Sequence, residues 1–163
     1  MIPMKSVSYR REIEPPDLGA ILNIVQSSGY FSPAEVDLAC ELATDRIENG
    51  RQSSYQFLFA EDDGQVVGYT CYGLIPATAG SYDLYWIAVS ESMRGRGLGK
   101  NLLQETEELI RNMGGRHLYA ETSSRDQYTS TQRFYERCHY KPEAVLKDFY
   151  SSGDSKIIYS KVL

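Results

Sequence analysis

The apolar residues of the chain follow two periodicities, one typical of a helix and one typical of a strand. Helical spacing follows Pro15-Pro16-Asp17 and continues to Ser28-Gly29. It returns after Ser32-Pro33-Ala34-Glu35, a capping-box sequence with proline in the first helical position, and it ends at Asn49-Gly50. The pattern therefore predicts two helices, preceded by a short strand around residues 7–11.

Strand-like runs dominate the middle of the chain. The runs 55–60 and 65–75 flank Asp62-Asp63-Gly64, a turn sequence, so they should pair antiparallel. A third run, 82–89, leads almost directly into a glycine-rich segment and then into a helical pattern that stops at Gly114-Gly115.

The remaining residues continue the alternation of strands and helices. They predict a strand at 117–122, a helix at 129–137, and two strands, 140–150 and 156–163, joined as a hairpin. The expected class is α/β in the broad sense (α+β type), with one mixed, mostly antiparallel central sheet flanked by helices on both faces. We expect residues 1–163 to form a single domain.

Composition narrows the class of protein. The 163 residues are 42% hydrophobic and 24% charged, typical of a soluble globular protein. No apolar run reaches the ~20 residues that a membrane-spanning helix needs, and the first residues lack the features of a signal peptide. We therefore expect a cytoplasmic protein without a membrane partner. A net charge of -5 disfavours nucleic acid as the main partner.

The cysteines give no sign of a metal site. Cys40, Cys71 and Cys138 lie far apart without a CxxC pair, and His117 and His139 are the only histidines. We predict no metal, and small buried or half-buried thiols in a reducing compartment.

The glycine-rich segment Arg94-Gly95-Arg96-Gly97-Leu98-Gly99-Lys100 is a local basic site between a strand and a helix. Unpaired N–H groups at a helix start favour an anion, and glycines allow close approach of the backbone. Two common phosphate motifs fail on identity. A GxGxxG motif from Gly95 would need glycine at Lys100, and a P-loop would need glycine at Arg94 and Ser or Thr at Asn101.

The segment does match R-x-x-G-x-G, as Arg94, Gly97 and Gly99, immediately after the apolar Ile87-Ala88-Val89. Here the chain resembles the GNAT superfamily of N-acetyltransferases, which carry this pattern in their coenzyme-A loop. The resemblance covers roughly residues 55–163 and includes the helix that ends at Tyr140.

The resemblance implies acetyl-CoA as the cosubstrate. The pantetheine arm would lie along the strand that ends at Val89, the pyrophosphate would lie on the loop, and the strands 82–89 and 118–122 would part to leave a slot for the thioester. The cofactor-binding residues expected from this are Ile87, Ala88, Val89, Arg94, Gly95, Arg96, Gly97, Leu98, Gly99 and Lys100.

Acyl transfer to an amine needs a base, an oxyanion donor and a proton for the departing thiolate. Asp83 lies six residues before Val89, where part of the family has a Glu that acts as the base. Glu121, or water, remains an alternative. Strand alternation would place Asp83 on one face with Tyr85, Ile87 and Val89, and a main-chain N–H near Val89 would stabilise the oxyanion.

Tyr135 matches the family tyrosine whose hydroxyl points at the coenzyme sulfur, which makes it the expected proton donor. Two positions depart from the family pattern. Tyr128 stands where many members have Asn, and His139-Tyr140 replaces a Gly-aromatic pair, so His139 must accept a glycine-like backbone conformation. We interpret His139 as a surface substitution and not as a catalytic residue.

The predicted function is N-acetyl transfer from acetyl-CoA to a primary amine of a small molecule or peptide by direct attack. The alternative is a non-catalytic acyl-CoA-binding sensor. Arg125 or Lys156 could pair with a carboxylate of the acceptor, although loop salt bridges explain both equally well. The sequence leaves the acceptor, the acyl group and a homodimer open.

Overall fold

A computed structural model describes residues 7–163 and contains the helices and strands in the predicted order. The strands are β1 (Val7–Arg10), β2 (Gln56–Asp62), β3 (Gln65–Leu74), β4 (Ser81–Val89), β5 (His117–Ser123), β6 (Lys141–Ser151) and β7 (Asp154–Val162). The α-helices are α1 (Asp17–Ser27), α2 (Pro33–Asn49), α3 (Leu98–Asn112) and α4 (Thr129–Arg137). Each boundary lies within two residues of its prediction, which confirms the periodicity argument.

The strands form one seven-stranded sheet in the order β1-β2-β3-β4-β5-β7-β6. The pairs β1–β2, β2–β3, β5–β7 and β6–β7 are antiparallel, whereas β4 and β5 are parallel. The predicted class, a mixed and mostly antiparallel sheet with helices, is confirmed. The parallel register runs from Ser81↔His117 to Leu84↔Ala120, although both strands continue beyond it.

The described residues group into two compact units. The first comprises the chain up to Gly73 together with Trp86–Thr106, and the second comprises Leu74–Tyr85 together with Glu107–Leu163. Strand β4 and helix α3 each contribute to both units. That residues 1–163 form a single domain remains a prediction, which this grouping into two units does not test.

In the first unit, helices cover both faces of β3. Thr70 is fully buried and its hydroxyl lies 2.7 Å from that of Thr106 on α3. Cys71 points to the opposite face from Thr70 and is also fully buried. The positive charge of Arg46 on α2 is close enough to act on the pKa of the Cys71 thiol. Because successive strand residues point to opposite faces, α3 and α2 lie on different sides of this strand.

Local sequence signals explain the ends of these elements. Ser32 and Glu35 form the predicted capping box, with the Ser32 hydroxyl accepting from the Glu35 N–H and the Glu35 carboxylate accepting from the Ser32 N–H. At the β2–β3 turn, Asp63 and Gly64 have φ of 51° and 76°, the left-handed pair that a two-residue hairpin requires. Short 3-10 turns in the described part of the chain were not predicted, because such turns leave no apolar period. They are Gly50–Gln52, Glu91–Met93 and Asp126–Tyr128.

In the second unit, β5 lies between β4 and β7, and its residues Leu118 and Ala120 are fully buried. Tyr159 of β7 stands opposite Ala120 and shares its buried face. Strand β6 forms the edge of the sheet, and nearly all of its residues are exposed. The predicted closing hairpin of β6 and β7 is confirmed.

Among the described residues, no helix is long and apolar enough to span a membrane. No cluster of three or more candidate metal ligands occurs in this part of the chain. Its three cysteines are not joined by disulfides, with Cys71 and Cys138 buried and Cys40 half-buried. The amino-terminal residues on which the absence of a signal peptide was judged lie outside the described residues.

Gly68 allows β3 to approach its neighbours closely, which gives a test of this packing. A Cβ at Gly68 would lie 3.1 Å from the Ala88 carbonyl oxygen and 3.3 Å from Leu102 Cδ1. We expect Gly68→Ala to lower the free energy of unfolding by roughly 1–3 kcal/mol in urea denaturation. The matched control is Gly19→Ala in α1, where a Cβ meets nothing within 4 Å; it should raise stability by roughly 0.5–1 kcal/mol. The same sign for both variants would contradict the packing.

Candidate active site

The segment between β4 and α3 is anchored at both ends and exposed between the anchors. Met93 and Leu98 are buried in a cluster with Ala60 and Leu102, whereas residues 94–97 are exposed. The Ser90 N–H donates to the Val67 carbonyl at 2.8 Å, which ties the start of the segment to β3. The backbone of residues 94–97 is therefore presented to solvent from a fixed base. We call this segment, Arg94–Lys100, the loop–helix segment.

The main-chain N–H groups of this segment are mostly without acceptors. The N–H of Arg94 donates to the Glu91 carbonyl, and the N–H of Asn101 donates to the Gly97 carbonyl. Between them, within the chain as described, the N–H groups of Gly95–Lys100 have no protein acceptor. The last three belong to the first turn of α3, whose dipole adds partial positive charge.

Glycine conformation and basic side chains complete this arrangement. Gly95 and Gly97 have φ of 74° and 79°, and a Cβ at either would meet nothing within 4 Å. Space is therefore open beside the backbone at both positions. Arg94, Arg96 and Lys100 are exposed around the free N–H groups. The free N–H groups, the dipole of α3 and the basic side chains together form a site for an anion with several oxygens, such as a pyrophosphate.

The strand residues that precede the segment lie in the same unit. Val89 packs against the Met93–Leu102 cluster, Ala88 is buried, and Ile87 is half-buried. Burial alternates from Ser81 to Leu84 and then gives way to three half-buried residues, 85–87. Only Trp86 interrupts the alternation, because Asp83, Tyr85, Ile87 and Val89 are all half-buried, as the expected common face requires.

Two carboxylates and one ammonium lie together in the second unit. Asp83 is half-buried on β4 and stands opposite Tyr119 of β5. Glu121 lies two residues after Tyr119 and therefore on the same face of β5. The Lys156 Nζ lies 2.8 Å from Glu121 Oε2. Burial raises the pKa of Asp83, the negative charge of Glu121 raises it further, and the positive charge of Lys156 opposes both.

Both cations considered for an acceptor carboxylate already have partners in the chain. Besides Glu121, the Lys156 ammonium faces the Phe149 ring at 3.7 Å from its centroid. Arg125 Nη1 lies 3.9 Å from Asp154 Oδ2, and the Asp154 carboxylate also accepts from the Ser123 hydroxyl. The salt-bridge interpretation of Arg125 and Lys156 is therefore the one that the structure supports.

Tyr135 is a buried residue of α4, and its ring packs against two other tyrosine rings. Its ring centroid is 5.6 Å from that of Tyr140 and 5.6 Å from that of Tyr159. Burial raises the pKa of Tyr135, so its hydroxyl keeps its proton at neutral pH. Tyr159 stands opposite Ala120, whereas Asp83 stands opposite Tyr119, so Tyr135 and Asp83 lie on different faces of these strands.

Helix α4 ends in a Schellman motif that explains the departure from a Gly-aromatic pair. The N–H of Tyr140 donates to the Tyr135 carbonyl, and the N–H of His139 donates to the Glu136 carbonyl. His139 has φ of 70° and an exposed side chain. The expected glycine-like conformation is confirmed.

The fold and these sites can now be compared with known proteins. The profile of the acetyltransferase (GNAT) family matches residues 20–140, which include β4, the loop–helix segment and all of α4. The chain belongs to the GNAT family. GNAT proteins are acyltransferases, and this places the chain in that class of enzyme.

Individual relatives agree with this assignment. A protein from Desulfovibrio desulfuricans, described as an acetyltransferase of the GNAT family, is 47% identical with a TM-score of 0.93, covering 96% of this chain and 98% of that chain. An uncharacterized N-acetyltransferase from Methanocaldococcus jannaschii is 31% identical over 105 residues, 64% of this chain and 65% of that protein. The match thus spans somewhat less than two thirds of that relative's length.

A more distant likeness shows the fold alone. An aminoglycoside 6′-N-acetyltransferase complexed with coenzyme A is 18% identical, with a TM-score of 0.72 and 96% of both chains covered. That protein holds coenzyme A.

The sequence analysis missed one group of buried polar residues in this GNAT chain. Glu107 of α3 is 4% exposed and accepts hydrogen bonds from Tyr140 and Lys161. A signal was present, because Glu107 lies four residues after Leu103 and three before Ile110 on the apolar stripe of α3. The identity of its partners could not be read from that spacing.

The conformation of His139 gives a prediction. Because a side chain is strained at positive φ, His139→Gly should raise the free energy of unfolding by roughly 0.5–1 kcal/mol. Arg133→Gly, at an exposed position inside α4, should instead lower it by roughly 1 kcal/mol. Chemical denaturation measures both, and equal losses in the two variants would mean that residue 139 does not require the left-handed conformation.

Proposed function

We propose that this GNAT chain transfers an acetyl group from acetyl-CoA to a primary amine of a small molecule or a peptide. The amine attacks the thioester directly, without a covalent enzyme intermediate. Acetyl-CoA is a cosubstrate in this proposal, and no metal takes part.

The observation that carries the proposal is the row of N–H groups without acceptors at Gly95–Lys100. A pyrophosphate offers several charged oxygens in a short span, which suits consecutive main-chain donors at a helix N-terminus. Arg94, Arg96 and Lys100 add positive charge to a chain whose net charge is -5. Ile87, Ala88 and Val89, which lead into the segment, are proposed to lie along the pantetheine arm.

Asp83 is the proposed base. It must take a proton from the ammonium form of the acceptor, and a carboxylate with a raised pKa is better matched to that transfer than an ordinary one. Glu121 is the weaker candidate, because its carboxylate is held by Lys156 at 2.8 Å. A water molecule between Asp83 and the amine is compatible with this role.

Tyr135 is the proposed acid. Its raised pKa keeps the hydroxyl protonated, and the rings of Tyr140 and Tyr159 pack against its ring. The base must reach the amine nitrogen and the acid must reach the sulfur, which are different atoms of the reacting complex.

The bonds and protons balance. The amine nitrogen forms a bond to the thioester carbonyl carbon, and the bond from that carbon to sulfur breaks. An acceptor that arrives as an ammonium first loses one proton to Asp83, which releases it to solvent. After the neutral amine attacks, Asp83 accepts the second proton that the nitrogen loses, and Tyr135 gives its own proton to the departing sulfur. Solvent exchange then returns both side chains to their starting states, leaving an amide and a free thiol.

The direct test is thiol release from acetyl-CoA with panels of amino acids, polyamines, aminoglycosides and peptides, together with calorimetry on CoA. Turnover with an amine, reduced roughly 100-fold in Tyr135→Phe at unchanged CoA affinity, is the expected result. Binding without turnover on any panel would favour the non-catalytic sensor. Full turnover in Tyr135→Phe would remove Tyr135 from the mechanism.

The loop–helix segment gives a specific prediction. Gly97→Leu should abolish CoA binding in calorimetry, because the side chain would occupy the space beside the free N–H groups. The matched control is Gly64→Leu at the β2–β3 turn. Gly64 has φ of 76° against 79° for Gly97, and a Cβ meets nothing within 4 Å at either position. The control therefore carries similar backbone strain and should keep CoA affinity; equal losses would make strain the cause.

The neighbours of Asp83 predict the pH dependence. The base is active when deprotonated, so the rate should fall as pH drops through the pKa of Asp83, and this raised pKa places the fall above the range of an ordinary carboxyl group. Glu121→Gln should move this limb to lower pH and Lys156→Met should move it to higher pH, each by on the order of half a pH unit.

Glu143→Gln is the control for the pH profile. The exposed Glu143 accepts from Ser160 and does not affect the pKa of Asp83. An unmoved limb in both Glu121→Gln and Lys156→Met would exclude Asp83 as the titrating base.

A further inference from the structure

A buried carboxylate and a tyrosine form a fixed polar group in the second unit. The Tyr140 hydroxyl donates to Glu107 Oε2 at 2.7 Å, and Lys161 Nζ donates to Glu107 Oε1 at 2.9 Å. Both carboxylate oxygens thus have partners, and Glu107 is only 4% exposed. A buried carboxylate with both oxygens occupied has little freedom to move, so the position of the Tyr140 hydroxyl is set by α3 and β7.

Tyr140 is in turn attached to Tyr135 in two ways. The Schellman motif joins the Tyr140 N–H to the Tyr135 carbonyl at 2.9 Å, and the two rings pack with centroids 5.6 Å apart. This ring contact is the apolar pairing that often accompanies the motif. Any movement of Tyr140 is therefore passed to the backbone and to the ring of Tyr135.

The Tyr135 ring has a second contact. Tyr159 of β7 packs against it, and the Tyr159 hydroxyl donates to Glu136, the residue that follows Tyr135, at 3.4 Å. Helix α4 has only nine residues, a length that is not stable alone in water. The orientation of Tyr135 consequently depends on contacts from outside its own helix.

We infer that Glu107 and Tyr140 are positioning residues for Tyr135, with the Glu107 carboxylate holding Tyr140 and the Tyr140 ring and N–H holding Tyr135 in the orientation that protonates the leaving thiolate. This inference rests on the acid role of Tyr135 proposed above. Glu107 does not itself exchange protons with the reacting atoms, because both of its oxygens are occupied and the residue is buried.

A double-mutant cycle separates positioning from simple stabilisation. Tyr140→Phe keeps the ring and removes the bond to Glu107, and it is made in the wild type and in Tyr135→Phe. In the wild type, kcat should fall roughly 10-fold with little change in the KM for acetyl-CoA, since small misplacement of a reacting group is costly. In Tyr135→Phe, where no hydroxyl remains to be positioned, the same change should cause no further fall.

Variants at Glu107 give an independent arm. Glu107→Leu should reproduce the kcat loss of Tyr140→Phe, whereas Glu107→Gln should retain more of kcat, because the amide oxygen still accepts from Tyr140 although the NH2 group cannot accept from Lys161. Thr70→Val is the matched control, since it removes one buried hydrogen bond of similar length, 2.7 Å, in the first unit. The Thr106 hydroxyl keeps its bond to the Leu102 carbonyl in that variant, so kcat should stay at the wild-type value.

The outcomes distinguish this inference from the proposed function. An equal fall of kcat in both backgrounds, or an equal fall in Thr70→Val, would mean that Tyr140 and Glu107 only stabilise the fold. Loss of activity in Tyr135→Phe with wild-type kcat in Tyr140→Phe and Glu107→Leu would overturn the positioning role alone. Full activity in Tyr135→Phe would overturn the acid role itself. If Tyr140→Phe does not fold, the comparison of Glu107→Leu with Glu107→Gln decides the question.

Discussion

The candidate phosphate site depends on main-chain N–H groups that have no acceptor at the start of α3. The segment stays open because Met93 and Leu98 are buried on either side of it and because Gly95 and Gly97 adopt positive φ. Any helix leaves the N–H groups of its first turn without intrahelical acceptors, but here the run without acceptors begins three residues before α3, at Gly95. An unsatisfied set of donors that is exposed and surrounded by basic side chains is most simply understood as half of a binding interaction.

The second unit contributes a different kind of constraint, which comes from pairs of charges. Asp83 and Glu121 would repel each other, and Lys156 offsets that repulsion by bonding to Glu121. One carboxylate is thereby held as a counter-ion while the other stays available with a raised pKa. On the other face, Tyr135 owes its orientation to Tyr140 and to the residues that hold it. In the proposed mechanism, proton transfer to and from these two groups thus depends on their fixed neighbours.

Local signals in the sequence predicted most of the fold, because helix ends, hairpin turns and apolar periods are short-range features. The Ser32 capping box, the Asp63-Gly64 turn and the glycine-like conformation of His139 all follow from a few adjacent residues. The loop of the candidate site could be found for the same reason. Glu107 and Lys156 could not be assigned, since their partners are 33 and 35 residues away, and only the register of the strands and the packing of α3 bring them together.

The central claim concerns a few backbone N–H groups, so the most direct measurement observes them individually. In a 15N-labelled sample titrated with CoA, we expect the largest amide shifts at Gly95–Lys100, with little change when pantetheine, which lacks the pyrophosphate, replaces CoA. The glycine amides of that segment should be resolved most easily. CoA binding that leaves these amides unshifted, or equal shifts with pantetheine, would contradict the claim that the start of α3 receives the pyrophosphate.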